Sequence, residues 1–369
     1  MSSARFLYTD PRTVNEWIRH YGPPYRILFT TVPGIEDIVI QELLERFPTI
    51  NPRPKPFGGL GRVLAEFSSP PDVEDLLKLR SIHHILLHLT IFPVDEHLDS
   101  LVAIYDALYQ LDLRLLFHDL PPFRITSERA GTHSYTSIDV QRWAGQAIVD
   151  RYAAPVDLRN PLVNIEVDVL EKRCFVGVRL TKTSLHRRGY RVFEHPAALR
   201  PTLAYAMVRI ADPLPGSTLL DPMCGGGTIP IEAALVYRNR LRILGFDLSP
   251  DFIVGAIQNA RKANVAQYID FRVVDVRRLP QSLQQPIHRV VTNPPYGIRS
   301  GGWKRVPRLY AALTRSLSRV LSSDGRAVII TLRHNVLRQC AYNAGLRVVH
   351  ERVVRHGDLF PKILVLQPE

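Results

Sequence analysis

From about residue 187 to 369, short apolar runs alternate with amphipathic ones. No other feature limits the possible folds as strongly. Strands are expected at Thr218–Asp221, Ile243–Asp247, Ile269–Val274, Arg289–Thr292 and Ala327–Leu332. Helices are expected at Thr228–Tyr237, Asp251–Ala263 and Val306–Leu321, the last with Leu309, Leu313, Leu317 and Val320 on one face. Two final strands, Arg347–Arg355 and Leu359–Leu366, are joined through His356-Gly357-Asp358. A parallel strand pair needs a crossover long enough for a helix, so this order predicts a mostly parallel sheet covered on both faces. The short last connection makes one edge antiparallel. Such sheets bind ligands beyond the carboxyl ends of their strands, where the strand order switches.

The front half reads differently. Residues 1–24 look like a loosely attached lead-in ending in Gly22-Pro23-Pro24. Residues 25–95 read strand–helix–strand–helix–strand, which suggests a small α+β, ferredoxin-like domain. Residues 96–186 read as a second module, with helices at His97–Leu111 and Ile138–Tyr152 and strands at Phe123–Glu128, Val163–Val169 and Arg173–Leu180. Residues 187–369 form the last domain.

Four strand-end motifs carry chemistry. The first is Asp221-Pro222-Met223-Cys224-Gly225-Gly226-Gly227-Thr228, where a strand meets a helix. Three glycines let the backbone approach a ligand closely and present N–H groups to it, more than a plain turn needs. The spacing is neither GxGxxG nor GxxxxGK[ST], which counts against NAD and ATP. The second is Asp247, 26 residues after Asp221 and placed to accept hydrogen bonds from ribose hydroxyls, although it could equally cap the following helix. The third is Asp275, whose carboxylate could receive an adenine amine. The fourth is Asn293-Pro294-Pro295-Tyr296. Prolines donate nothing and fix the backbone. The Asn293 side-chain oxygen and the Pro294 carbonyl can together accept both hydrogens of a planar –NH2 group, and Tyr296 can stack on the ring that bears it. That arrangement suits methylation of a non-basic amine by positioning and electrostatics.

Charge points the same way. Lys and Arg total 47 against 35 Asp and Glu, a net +12. Residues 170–200 hold eight Lys or Arg against Glu171 and Glu194, a local +6. A polyanion is the expected partner. The cysteines at 174, 224 and 340 form no CxxC pair, and no HExxH spacing occurs, so neither a disulfide framework nor a metal is expected. No apolar run approaches the roughly 18–20 residues that span a bilayer. The start MSSARFLYTD lacks a signal pattern, so cytoplasm is the expected compartment and no membrane partner is foreseen.

The motifs resemble those of class I S-adenosylmethionine-dependent methyltransferases, Rossmann-like α/β domains with a seven-stranded, mostly parallel sheet. DPMCGGGT is similar to their donor loop, TNPPYG to their amine-methylating motif, and His195–Ala204 to their donor-covering first helix. The whole chain from about residue 25 is similar to the THUMP-containing RNA guanine-N2 methyltransferases, especially those acting on tRNA. Pro33-Gly34-Ile35-Glu36 resembles the opening of their ferredoxin-like domain, and Phe123–His133 the THUMP strand and loop. The resemblance implies S-adenosyl-L-methionine held by Asp221, Pro222, Cys224, Gly225, Gly227, Thr228, Asp247 and Asp275. It implies a flipped guanine held by Asn293, Pro294 and Tyr296. The front domains would grip the acceptor stem and 3′ end of tRNA, and the modified guanosine would lie near position 6. A monomer is expected.

Arg129, Arg187, Arg188, Arg191, Lys304 and Arg305 are the candidate phosphate contacts, and Gly301 and Gly302 suggest a mobile turn before the last two. Asn-Pro-Pro-Tyr serves adenine N6 equally well, and methylation of another structured RNA and methylation of a protein glutamine amide are further readings; the +6 stretch and the THUMP-like region fit structured RNA better than a protein loop. A non-catalytic RNA-binding protein is a fourth reading, opposed by the intact glycines, Asp247 and Asn293.

Overall fold

The computed structural model describes residues 11–297 and 304–369, so the expected Gly301-Gly302 turn lies outside the described residues. The chain divides into two units: residues 1–31 with 39–185, and residues 32–38 with 186–369.

In the first unit the strands are β1 (Tyr25–Thr31), β2 (Arg53–Pro54), β3 (Arg62–Phe67), β4 (Ile82–Pro93), β5 (Phe123–Thr126), β6 (Arg129–Ala130), β7 (Val163–Leu170) and β8 (Arg173–Arg179). They form one sheet in the order β2-β3-β1-β4-β8-β7-β5, with β6 also on β7. The stretches expected as separate modules at 25–95 and 96–186 therefore share a sheet. The join is the antiparallel pairing of β4 with β8, from Leu86↔Arg179 to Pro93↔Arg173. Helices α1 (Pro11–His20), α2 (Glu36–Arg46), α3 (Val73–Leu77), α4 (Asp99–Gln110), α5 (Arg114–Phe117) and α6 (Ser137–Tyr152) complete the order up to this point. Thr136 starts α6 with a capping box, exchanging hydrogen bonds with Asp139.

The lead-in is not loosely attached throughout. Val14, Trp17 and Ile18, spaced i, i+3, i+4 on α1, are buried in the core of the first unit. That spacing makes one apolar face, and burying it ties the segment down.

The second unit contains α7 (Pro201–Ala211), β9 (Thr218–Asp221), α8 (Thr228–Tyr237), β10 (Arg242–Asp247), α9 (Pro250–Lys262), β11 (Ile269–Val273), α10 (Leu279–Ser282), β12 (Ile287–Thr292), α11 (Val306–Val320), β13 (Leu321–Thr331), α12 (His334–Tyr342), β14 (Leu346–Val353) and β15 (Lys362–Pro368). Its seven-stranded sheet runs β11-β10-β9-β12-β13-β15-β14. The first five are mutually parallel, and β15 is antiparallel to both β13 and β14. Alternate residues along each strand face opposite cores. Leu219, Ile243, Val291, Val328 and Ile330 pack with α7 and α8 on one side. Leu220, Leu244, Val290, Ala327 and Ile329 pack with α11 and α12 on the other. Val32, Ile35 and Ile38 join the first of these cores. The alternation led to a mostly parallel sheet with one antiparallel edge, and the seven strands agree with the Rossmann-like fold that the resemblance to class I methyltransferases implies.

Two local expectations need correction. The helix expected from His195 begins at Pro201, because residue 200 before a proline is held extended, with ψ 134°. The final strand begins at Lys362, not Leu359: His356 and Leu359 make only an isolated bridge in the intervening turn.

Candidate active site at the strand-order switch

The strand order reverses between β9 and β12, which lie side by side with Val290 opposite Leu220. Both strands run the same way. Their carboxyl ends therefore deliver the glycine loop and the Asn-Pro-Pro-Tyr loop to one edge of the sheet.

The glycine loop is held from within. Asp221 is buried and accepts a hydrogen bond from the Met223 N–H at 3.2 Å. Burial pushes its carboxyl up to about 7, against the pull of the Met223 N–H. Pro222 is buried, and so is Cys224, whose N–H donates to the Phe246 carbonyl at 2.8 Å. Burial raises the Cys224 thiol well above its ordinary value, so it stays protonated. Gly225 sits at φ 52° and donates its N–H to Asp247 Oδ2 at 2.9 Å. Gly227, at φ 79°, opens α8; a Cβ there would lie 3.0 Å from the Ala256 Cβ and 3.3 Å from the Phe271 ring. Glycine is thus required twice over at 227, by backbone angle and by space.

Asp247 ends β10. Its Oδ2 takes the Gly225 N–H and its Oδ1 the Ser249 N–H at 3.0 Å. A carboxylate offers about four lone pairs, so acceptor capacity remains at this half-buried position. The helix cap after it is Ser249, which accepts from Phe252, so Asp247 does not serve as that cap. Asp275 is more committed. It caps a short 3-10 turn by accepting the Arg277 N–H at 2.9 Å, and it pairs with the Arg277 guanidinium. That guanidinium holds its carboxyl below the ordinary range.

The Asn-Pro-Pro-Tyr loop follows β12. The Asn293 Oδ1 accepts from the Tyr296 hydroxyl at 2.7 Å, while Asn293 Nδ2 donates to the Ala197 carbonyl at 3.3 Å. Burial raises Tyr296 far above the ordinary phenol range, so the hydroxyl remains a donor. Tyr310 on α11 reaches the Pro295 carbonyl at 3.3 Å and Thr331 at 2.6 Å. Pro294 is buried and Pro295 exposed.

The family comparisons agree with this geometry. A model of the RMKL-like methyltransferase domain matches residues 188–362, and a THUMP domain model matches residues 99–179. The chain is 35% identical to a tRNA (guanine(6)-N2)-methyltransferase of Archaeoglobus fulgidus, covering 92% of this chain and 91% of that protein. It is 33% identical to the protein of the same name from Thermus thermophilus, covering 92% and 98%. The chain belongs to the THUMP-containing tRNA guanine-N2 methyltransferase family. The crystal structure of TrmN from Thermus thermophilus matches it with a TM-score of 0.82 and 31% identity, over 93% of this chain and 99% of that one.

In this methyltransferase the basic residues separate into two sets. Arg129, Arg187, Lys304 and Arg305 are exposed. Arg129 also leans on the Gly131 carbonyl at 2.8 Å and on His133 at 3.0 Å. Arg188 and Arg191 are turned inward, against their expected role as phosphate contacts. The Arg188 side chain is 13% exposed and pairs with the fully buried Glu232 at 3.4 Å. Arg191 meets the Leu199 carbonyl and, at 3.2 Å, the Thr228 hydroxyl. These contacts engage Arg188 Nε and one terminal nitrogen of Arg191 inside the fold.

Two residues escaped the sequence reading as individual site residues. His195 lies over the glycine loop: a Cβ on Gly225 would meet its ring at 3.3 Å, and Phe252 packs edge-on against it at 4.3 Å. Its Nδ1 accepts the Ala197 N–H at 3.1 Å, and burial lowers its pKa despite Asp247, so the ring is neutral at pH 7. Asn259, in the last turn of α9, is buried beneath the same loop. No spacing rule marks an asparagine inside a helix as a site residue. Among the described residues no helix is long and apolar enough to cross a membrane.

Proposed function

We propose that this protein transfers a methyl group from S-adenosyl-L-methionine to the exocyclic N2 of a guanosine in tRNA, at position 6 of the acceptor stem. The carrying observation is full-length similarity to two tRNA (guanine(6)-N2)-methyltransferases, together with an Asn-Pro-Pro-Tyr loop beside the glycine loop at the sheet's switch point.

The residues present fit the donor. Asp247 keeps lone pairs for ribose hydroxyls at the end of β10, and the glycine loop brings bare backbone to the same edge. Asp275 is the candidate for the adenine amine, sharing its carboxylate with Arg277. When bound, the donor supplies an electrophilic methyl group on a sulfonium. The chain's own work is on the acceptor. The guanine amine is not basic, because its lone pair is delocalised into the ring. Asn293 Oδ1 and the Pro294 carbonyl accept its two hydrogens, which draws the nitrogen toward tetrahedral geometry and aims its lone pair. The Tyr296 ring stacks on the extruded base. Flipping a paired base costs a few kcal/mol, and aromatic stacking returns about 1–3 kcal/mol. Arg129, Arg187, Lys304 and Arg305 are the candidates for phosphate contacts, with the acceptor stem and 3′ end as the gripped elements. The proposed working unit is a monomer.

The test is to incubate the protein with tRNA and methyl-labelled donor, digest the RNA and identify the labelled nucleoside. N2-methylguanosine mapping to position 6 is the expected product. Label in N6-methyladenosine, or none with folded protein, overturns the reading.

A further inference from the structure

Residues 188–197 form a strap pinned at successive points along the second unit. Tyr190 donates its hydroxyl to the buried Glu232 on α8 at 2.9 Å. Arg191 reaches Thr228 at the start of the same helix. The next two residues are taken by one side chain. Asn259 Oδ1 accepts the N–H groups of Val192 at 2.9 Å and Phe193 at 2.8 Å. Asn259 Nδ2 donates to the Phe193 carbonyl and to the Gly226 carbonyl, each at 2.9 Å. Both lone pairs and both amide hydrogens of Asn259 are therefore used, and they join the strap to the glycine loop.

The strap then runs over that loop and reaches the acceptor motif. The Phe193 ring lies on Gly255, where a Cβ would come within 2.3 Å of it. His195 covers Gly225, and the Ala197 carbonyl receives Asn293 Nδ2. A carbonyl can only accept. Its contact with Nδ2 therefore decides which end of the Asn293 amide faces outward, and the Tyr296 hydroxyl holds the other end. If Ala197 moved, the amide would keep the Tyr296 hydrogen bond but lose the contact that holds its N–H2 away from the substrate amine.

We propose that Asn259 is a positioning residue for methyl transfer: it seats the strap on the glycine loop, and the seated strap sets the orientation of the Asn293 amide. The inference rests on the function proposed above for the Asn293 site. It makes the donor loop and the acceptor amide parts of one hydrogen-bonded chain: Gly226–Asn259–Phe193, then along the backbone to Ala197–Asn293.

The experiment compares wild type with Asn259→Ala and Asn259→Asp by two readouts. The first is steady-state methylation of tRNA at saturating donor. The second is hydrogen–deuterium exchange of the peptide covering residues 190–199. Misplacing a reacting group by about 1 Å can lower turnover about a hundredfold, so Asn259→Ala should lose about tenfold or more in kcat. tRNA affinity should stay within about twofold, since Asn259 is buried, and the 190–199 peptide should exchange faster. Asn259→Asp keeps an acceptor for the two strap amides but loses the donor to the carbonyls of both Phe193 and Gly226. It should leave the strap less protected than in wild type but more than in Asn259→Ala, and weaken the binding of S-adenosylhomocysteine, measured by calorimetry. A kcat for Asn259→Ala within about twofold of wild type overturns the proposal. So does unchanged exchange of the strap, and that readout needs no activity. A wild-type protein that methylates no tRNA removes the proposed function instead, and the exchange and calorimetric results then decide the strap by themselves.

Discussion

The two loops at the switch point begin from neighbouring parallel strands, yet they are built in opposite ways. The donor loop, Asp221–Thr228, is buried apart from Met223, and its polar groups bond to the protein itself. The acceptor loop has a half-exposed Asn293 and Tyr296, and its polar contacts are ones a substrate can share or replace. A small donor with a constant shape rewards a rigid cradle. A base swung out of a duplex needs a receiver that is ordered beforehand but still accessible. Preorganisation is thus supplied by burial at one loop and by two side-chain hydrogen bonds at the other.

The largest effect should come from the acceptor loop. Asn293→Ala should lower turnover by a hundredfold or more, on the order expected for loss of a preorganised acceptor, with tRNA binding nearly intact. Initial rates and filter binding measure both. Unchanged turnover would remove Asn293 from the mechanism and erase the contrast between the loops.

Next comes the strained position of the donor loop. Gly227→Val places a side chain at φ 79° against Ala256 and Phe271. The backbone alone costs about 1–3 kcal/mol. A lowered melting temperature and weaker binding of S-adenosylhomocysteine should follow. A variant as stable as wild type would mean that the cradle yields more than its burial implies.

Asp221 gives a pH signature of the buried loop. Its folded pKa, about 7, lies above the unfolded value near 4. The folded state therefore holds the proton more tightly. This group's support for folding is full below about pH 4, falls as pH rises through the interval, and is gone above about pH 7. Asp221→Asn cannot ionise. Without ligand, its unfolding free energy from denaturant titration should exceed wild type by a margin that widens from pH 5 to pH 8, on the order of a few kcal/mol at the upper end. A constant margin contradicts the buried-carboxyl assignment.

Tyr296→Phe separates ring from hydroxyl. It keeps stacking and frees the Asn293 amide at one end, so kcat should fall several-fold with little change in tRNA affinity. Loss of affinity without loss of kcat would assign the hydroxyl to RNA contact instead.

The smallest effects divide the arginines. Arg187→Ala should reduce the slope of log affinity against log salt by about one contact. Arg188→Ala should leave that slope unchanged and lower thermal stability, because it takes a cation from the buried Glu232 and leaves it the neutral Tyr190 hydroxyl. Equal salt slopes for the two variants would break the distinction between outward and inward cations.

Much of this was legible in the residues. The strands Thr218–Asp221 and Arg62–Phe67 lie where expected, because a short apolar run bounded by turn formers has few other structures available. The helix at Pro11–His20 went unread because its three apolar residues are set among polar ones. The helix His334–Tyr342 went unread for a similar reason: only Leu337 and Ala341 of its face are buried. At the site, Asp221, Asp247 and Asn293 could be found one strand at a time. Asp221 and Asp247 end strands and Asn293 directly follows one, and parallel strands bring their ends to one edge.

What the sequence determined by itself was therefore the alternation, the strand-end chemistry and the excess of positive charge, all of which are local or additive. Tertiary structure alone decided that Arg188 and Arg191 face inward, that Asp221 shapes its loop from a buried position, and that Asn259 bonds to Val192, Phe193 and Gly226. Those facts depend on which way a side chain points once segments distant in the chain have packed. The periodicity of one segment carries no information about what its neighbour will offer.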